Sequence, residues 1–126
     1  MPFVKLYLRK GKSPEYVGSV ADAVHQALVT KANVPLEDRF QTIHELNDDV
    51  LIAHPTYGGV NRSKDLIIIE ITLNIGRTVE IKKALYADIA RRLEQSVDLR
   101  ADDVLISLVE VTKENWSFGG GRATYA

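Results

Sequence analysis

Gly76-Arg77-Thr78-Val79-Glu80 lies sixty-five positions after Gly11-Lys12-Ser13-Pro14-Glu15, and the two stretches align without a gap. Extended along the chain, the same offset puts Val20, Val24 and Leu28 on Leu85, Ile89 and Leu93, Asp38 on Asp103, and Glu45 on Glu110. Few residues are identical, yet the apolar pattern agrees throughout, which marks a duplicated unit. Each unit opens with a run rich in β-branched and aromatic residues, Phe3 to Leu8 and Leu66 to Leu73. A glycine and a helix start follow. Ser13 and Thr78 are good N-caps, Pro14 suits the first helical position, and Glu15 and Glu80 favour the positive end of a helix. Helical spacing then continues through Val17, Val20, Val24 and Leu28, and through Ile81, Leu85, Ile89 and Leu93. A polar loop ending in Asp38 or Asp103 leads to the closing strands, Arg39 to Leu46 and Val104 to Val111.

A strand–helix–strand unit of this length closes as a parallel pair with a right-handed crossover. Two such units predict an α+β fold, tandem β-α-β units forming a four-stranded mixed sheet with two helices on one face. The chain reads as one domain, with repeats at about 1–46 and 66–111, a linker 47–65 and a C-terminal tail 112–126. Leu66 to Leu73 and Val104 to Val111 are apolar on both strand faces. Helices cover one face, so the other is expected to pack on another subunit. The linker contains His54-Pro55-Thr56-Tyr57-Gly58-Gly59 and the tail Asn115-Trp116-Ser117-Phe118-Gly119-Gly120-Gly121-Arg122. These segments occupy equivalent places in the repeat and are expected to form short hairpins at the sheet rim. Trp116 and Phe118 make either the wall of a site or an interface contact, and residue type slightly favours the contact.

With 126 residues, 45% of them hydrophobic, the chain is long enough to bury a sizeable core. Sixteen basic residues against seventeen acidic ones exclude a strongly basic nucleic-acid binder. Strands of Ile, Leu and Val also lack the exposed aromatics of an RNA-binding sheet. There is no cysteine, hence no disulfide, thiolate metal site or Cys nucleophile. The longest near-apolar run, Leu66 to Leu73, is broken by Glu70 and is far shorter than the roughly 20 residues of a membrane helix. The N-terminal stretch alternates in polarity and has no signal-peptide core. A soluble cytoplasmic protein without membrane or nucleic-acid partners is expected. His25, His44 and His54 lack metal-ligand spacing, and a structural role suits His25 beside the apolar stripe. No phosphate loop, nucleophile elbow or dinucleotide fingerprint is present. Neither a metal nor a cofactor is expected.

Three residues carry candidate chemistry. Pro2 is small enough to permit removal of Met1, which would leave a secondary amine at the start of a strand. In an apolar pocket or beside a cation such an amine becomes an acid–base group near neutrality. With Met1 retained, Pro2 has an amide nitrogen and no such chemistry. Arg77 stands just before a helix N-terminus, where a cation is electrostatically misplaced unless an anion binds there. An exposed Arg without important contacts is the alternative, and Lys12 at the equivalent repeat position supports it. Asp38 is placed to orient a water or a substrate carbonyl, although Asp103 in the same place argues for a shared turn-forming role. Arg39 either pairs with a carboxylate or is solvated.

An N-terminal proline opening a strand, the duplicated β-α-β unit and the arginine of the second turn together resemble the tautomerase superfamily. The malonate semialdehyde decarboxylase-like branch, with its 4-oxalocrotonate tautomerase fold, is the nearest in kind. The resemblance covers nearly the whole chain. It is carried by Val34-Pro35-Leu36-Glu37-Asp38-Arg39-Phe40-Gln41, Leu73-Asn74-Ile75-Gly76-Arg77-Thr78 and Asn115-Trp116-Ser117-Phe118-Gly119. It implies a homotrimer with Pro2 as the catalytic amine, Asp38 assisting, and Arg77 matching the second of two carboxylate-binding arginines. The first of those arginines matches Ile75, so one is missing. A single carboxylate anchor suits keto–enol isomerisation of a 2-oxo acid better than decarboxylation. Arg77 would hold the substrate carboxylate, and Trp116, Phe118 and Tyr57 would face an apolar body. The alternatives are a decarboxylase or hydratase of a 3-oxo acid using cationic Pro2, and a non-catalytic trimeric binding protein.

Overall fold

The computed structural model describes all 126 residues. Along the chain come β1 (Phe3–Arg9), α1 (Pro14–Lys31), β2 (Gln41–Leu46), β3 (Ile67–Asn74), α2 (Val79–Val97) and β4 (Val104–Val111). Single 3-10 turns occupy Ala101–Asp103 and Lys113–Asn115. The helices start where the sequence predicts: Ser13 Oγ accepts the Tyr16 N–H at 3.1 Å, and Thr78 Oγ1 accepts the Ile81 N–H at 3.2 Å. The four strands form one mixed sheet in the order β2-β1-β3-β4, parallel within each repeat and antiparallel between β1 and β3.

Strand register reproduces the sequence repeat. Val4 faces Gln41, and sixty-five positions later Ile69 faces Ile106. Phe3 lies opposite Thr72, while the equivalents of these two residues, Ile68 and Tyr7, lie opposite each other. A local two-fold axis therefore passes through the sheet beside Lys5 and Glu70. Its consequence for the site is direct: the end of β3, with the turn that carries Arg77, lies beside the start of the chain.

The helix-facing side of the sheet presents Val4, Leu6 and Leu8 of β1 and Ile67, Ile69, Ile71 and Leu73 of β3, all buried. They pack on Val20, Val24 and Leu28 of α1 and on Leu85, Ile89 and Leu93 of α2. Each such aliphatic side chain contributes about 1.5–3 kcal/mol on burial. The opposite face corrects the expectation of a continuous apolar surface. Leu66 to Ile69 reads as an aliphatic run, but strand alternation turns only Ile68 outward among the paired residues, followed by Glu70 and Thr72. Lys5 meets Glu70 at 3.7 Å on this face, and His44 stacks on Tyr7 at 4.7 Å. Leu105 and Val109 add apolar area on either side of Ser107.

The linker and the tail also differ from expectation, because neither contains a strand pair. Side chains take up the backbone donors that a hairpin would pair. His54 Nδ1 accepts the Thr56 and Tyr57 N–H groups at 3.1 and 3.0 Å, and Thr124 Oγ1 accepts the Phe118 N–H at 3.0 Å. β2 likewise begins at Gln41, two residues later than the sequence suggests, since the Arg39 N–H is turned back onto the Glu37 carbonyl at 3.0 Å.

Asp103 ties the linker to the second repeat. It is buried, and its two carboxylate oxygens accept the Ser63 N–H at 2.6 Å and the Ser63 hydroxyl at 2.7 Å, with Arg100 Nη2 at 3.3 Å. Burial pushes the carboxyl pKa up, but the Ser63 bonds and the Arg100 charge outweigh it and hold the pKa below its ordinary value. A depressed carboxyl pKa adds stability above the unfolded-state value, and that stability is lost as pH falls through the folded-state value. Asp103→Asn is therefore expected to lower the unfolding free energy by about 1–3 kcal/mol at neutral pH. In urea titrations the difference from wild type should shrink once the pH drops below the ordinary carboxylate range. A difference that persists unchanged in acid would mean that the charge contributes nothing.

Candidate active site

Asp38 sits in the loop between α1 and β2, and that loop is fixed at two points. Its own N–H donates to the Pro35 carbonyl at 3.0 Å, and the buried His25 donates from Nε2 to the Leu36 carbonyl at 2.7 Å. So held, the Asp38 carboxylate lies 3.5 Å from the terminal amine of Met1, with a side chain 16% exposed. Pro2, the next residue, is buried at the foot of β1. In the form described, which carries Met1, the Pro2 nitrogen is an amide.

The two-fold axis shows what is special about Asp38. Its counterpart Asp103 also points to the segment that enters a strand, but there the chain runs on through Ser63, which takes both carboxylate oxygens. Asp38 meets the terminus of the chain instead. The main-chain N–H of Asp38 closes a turn while its carboxylate faces the terminal amine, whereas the Asp103 carboxylate is taken up by Ser63 across forty residues of chain.

Arg77 is not the contact-free exposed arginine that Lys12 at the equivalent position suggested. Its Nε and Nη2 donate to the Ala32 carbonyl at 3.1 and 2.8 Å, and its Nη1 to the Asn74 carbonyl at 3.2 Å. Ala32 is the C-cap of α1, so the guanidinium sits against the negative end of that helix. A guanidinium has five N–H groups. Three are used here, and two remain for a ligand on an arginine that is already oriented. Lys12, its repeat counterpart, is engaged differently, at 2.8 Å from Asp65 and over the Tyr16 ring at 4.9 Å. A cleft of about 250 Å³ lies at that opposite corner, between Lys12, Tyr16 and Asp65. It contains no chain terminus, and its size does not make it the better candidate.

The aromatic residues of the tail close the amine end. The Trp116 indole N–H donates to Asn74 Oδ1 at 2.7 Å. Phe118 meets Trp116 edge-on at 6.2 Å, Phe40 at 6.3 Å and Tyr125 at 5.2 Å. Phe40 is itself anchored beside β1, because its carbonyl accepts the Val4 N–H at 3.0 Å. Leu36, Phe40, Ile75 and Phe118 remain exposed around this corner. Tyr57 does not join them; it stands 79% exposed in the linker. Arg39 points elsewhere, to Asp22 at 2.7 Å and Gln41 at 2.9 Å. Sequence reasoning gave His25 a structural role beside the apolar stripe, and it is buried with its ring bonded to the Leu36 carbonyl. That reasoning gave no role to Asn74, Phe40 or Tyr125, of which Asn74 and Phe40 stood only within longer stretches of family likeness.

Comparison with known proteins matches the chain and its fold to a family. Residues 38–119 and 2–61 match two sequence models of tautomerase enzymes. The chain is also 41% identical over 123 residues to a probable tautomerase of Bacillus subtilis (strain 168), YusQ, covering 98% of this chain and 97% of that one. This protein belongs to the tautomerase superfamily. The structure of FG41 malonate semialdehyde decarboxylase inhibited by 3-bromopropiolate superposes with a TM-score of 0.91 at 34% identity, over 98% of this chain and 93% of that one. That likeness puts the chain in the malonate semialdehyde decarboxylase-like branch. A fused 4-OT solved as a symmetric trimer shares the fold, with a TM-score of 0.80 at 21% identity over 98% and 97% of the two chains.

The three bonds of Arg77 carry their own expectation. Charged hydrogen bonds to carbonyls contribute about 1.5–3 kcal/mol each at most and partly overlap here. Arg77→Ala should therefore lower stability by about 1–2 kcal/mol in urea unfolding, with no substrate present. A change within about 0.5 kcal/mol, as for an ordinary surface residue, would show that the capping contacts are idle.

Proposed function

We propose that this protein is a tautomerase that interconverts the enol and keto forms of a 2-oxo acid, with Pro2 as its base once Met1 is removed. The observation that carries this reading is the chain terminus beside Asp38, at a corner that also gathers an oriented arginine and an aromatic wall. Removal of Met1 makes the Pro2 nitrogen a secondary amine at the buried foot of β1. In its neutral form the amine takes the enol hydroxyl proton as the C–O bond becomes a carbonyl. The resulting ammonium delivers that proton to the adjacent carbon, which restores the amine. The two remaining N–H groups of Arg77 bind the substrate carboxylate. Trp116 and Phe118 face the rest of the molecule. Asp38 orients the amine and the enol. Ile75 brings no charge to the turn, so the site suits one carboxylate and an apolar body.

A second reading has a specific observation in its favour. The Asp38 carboxylate pairs with the terminal amine of Met1 at 3.5 Å, and a Pro2 ammonium exposed by loss of Met1 would start beside the same carboxylate. A cationic Pro2 would serve a decarboxylase or hydratase of a 3-oxo acid, by polarising the carbonyl. The solved decarboxylase with a TM-score of 0.91 supports keeping that chemistry in view. The same reading of the family includes a homotrimer, supported by the trimeric fused 4-OT and by Ile68, Leu105 and Val109 on the sheet face away from the helices. A non-catalytic trimer is the remaining alternative.

An NMR pH titration of protein labelled with nitrogen-15 proline separates these readings without a substrate. A terminal amine that titrates near or below neutrality supports the base; one that titrates well above it supports the cationic acid. The absence of a titrating proline amine, with Met1 retained, would leave the binding protein. Pro2→Ala, which leaves only a primary amine, should lower kcat for enol turnover by about 10²–10⁴-fold with the fold intact. Unchanged turnover would sink the amine mechanism. Arg77→Ala should raise KM for carboxylated enols and spare uncharged ones, and an equal effect on both would rule out carboxylate anchoring. Sedimentation should give a trimer, against which a clean monomer would count.

A further inference from the structure

In each repeat one residue at the end of the first strand pins the segment that follows the closing strand. In the first repeat this residue is Arg9, whose Nη2 donates to the Leu51 carbonyl at 2.8 Å and whose Nη1 donates to the Lys64 carbonyl at 3.2 Å. Sixty-five positions on, Arg9 corresponds to Asn74 and Leu51 to Trp116. Asn74 Oδ1 accepts the Trp116 indole N–H at 2.7 Å, and its main-chain carbonyl accepts Arg77 Nη1 at 3.2 Å. One residue thus touches both the aromatic wall and the cation of the candidate site.

We propose that Asn74 is a positioning residue for substrate binding, its amide oxygen fixing Trp116, and through it Phe118, as the wall against which the apolar body of a 2-oxo monocarboxylic acid lies. The inference rests on the tautomerase reading of the same corner. No other side-chain hydrogen bond ties Trp116 to the sheet. The tail has no strand, and its other fixings are the 3-10 turn at Lys113–Asn115, the bonds of Thr124 to Trp116 and Phe118, and the packing of Phe118 on Phe40 and Tyr125. Chemistry explains why this position differs from Arg9. An indole offers a donor and needs an acceptor, which a guanidinium lacks. A second guanidinium here would also repel Arg77. A neutral amide supplies the acceptor without adding charge beside the carboxylate anchor.

Trp116 is the only tryptophan, so its emission reports directly on this bond. The test uses the full chain with two enol substrates, one of an aryl-substituted 2-oxo acid and one of a three-carbon 2-oxo acid too short to reach the wall. Asn74→Leu should change the Trp116 emission and raise KM for the aryl substrate about fivefold more than for the short one, the scale of one lost aromatic contact. The effect on KM should exceed that on kcat. Trp116→Phe, which keeps a ring and deletes the N–H, should show the same selective rise, and the double variant should lose no more than either single one. A changed emission with equal KM effects on the two substrates would overturn the proposal, as would single effects that add in the double variant. Should Asn74→Leu fail to fold, Trp116→Phe alone decides between selective and uniform loss. If the wild type turns over no enol, the tautomerase reading fails by itself. Binding of a 3-arylpropionate, followed by Trp116 emission in wild type and Asn74→Leu, then tests the wall: weaker binding in the variant supports it and equal binding overturns it.

Discussion

The antiparallel pairing of β1 with β3 governs the rest of the molecule. It joins the strands of the two repeats, and its register puts Phe3 opposite Thr72 and Tyr7 opposite Ile68. A slip of one residue would invert one strand against the other, turning either Val4 and Leu6 out of the core and Lys5 into it, or Ile69 and Ile71 out and Glu70 in. The inner aliphatics thus lock the register from one face, and the Lys5–Glu70 pair matches it on the other. Everything at the amine end inherits this alignment. The turn after β3 reaches the start of the chain because the two strands run in opposite directions and β3 continues two residues, Leu73 and Asn74, past the partner of Phe3.

The local two-fold makes two corners from one plan, and covalent structure separates their fates. A chain has a single amino terminus, so one corner alone can offer an amine. At the other, the polypeptide enters β3 through the linker, and Ser63 and Arg100 close around Asp103. Asp103 is therefore a structural anchor, whereas Asp38 faces the chain's end. The same divergence runs through the other pairs. Lys12 is neutralised by Asp65, while Arg77 is braced by the C-terminal carbonyl of α1 and keeps two donors. Arg9 holds a linker by its carbonyls; Asn74 holds an indole.

Arg77 illustrates how a candidate site residue can also brace the fold. A cation ahead of a helix N-terminus is unfavourable in isolation. Here the unfavourable end of α2 is offset by the favourable end of α1, because the helices pack side by side with the Ala32 carbonyl within reach. The cost of orienting a long side chain is met by folding before any ligand arrives, which lowers the entropic penalty of binding.

By itself the sequence determined the elements, the repeat and the inner face of the sheet. Caps at Ser13 and Thr78, helical stripes and strand alternation are local signals, and local propensity and tertiary packing agree on them. It also marked Asp38, Arg77, Trp116 and Phe118 as residues of interest, chiefly through family likeness, and it misread the aliphatic run at Leu66 as two-faced and the linker and tail as hairpins. Tertiary structure alone decided which of two equivalent aspartates meets the amine, what Arg77 bonds to, and which groups His25 and Asn74 hold. The physical reason is that these facts depend on main-chain carbonyls and single side-chain bonds between segments more than ten residues apart, or across a turn, as with Leu36 to His25, Ala32 to Arg77 and Asn74 to Trp116. A carbonyl has the same chemistry at every residue, so no sequence pattern announces which one will be brought within reach.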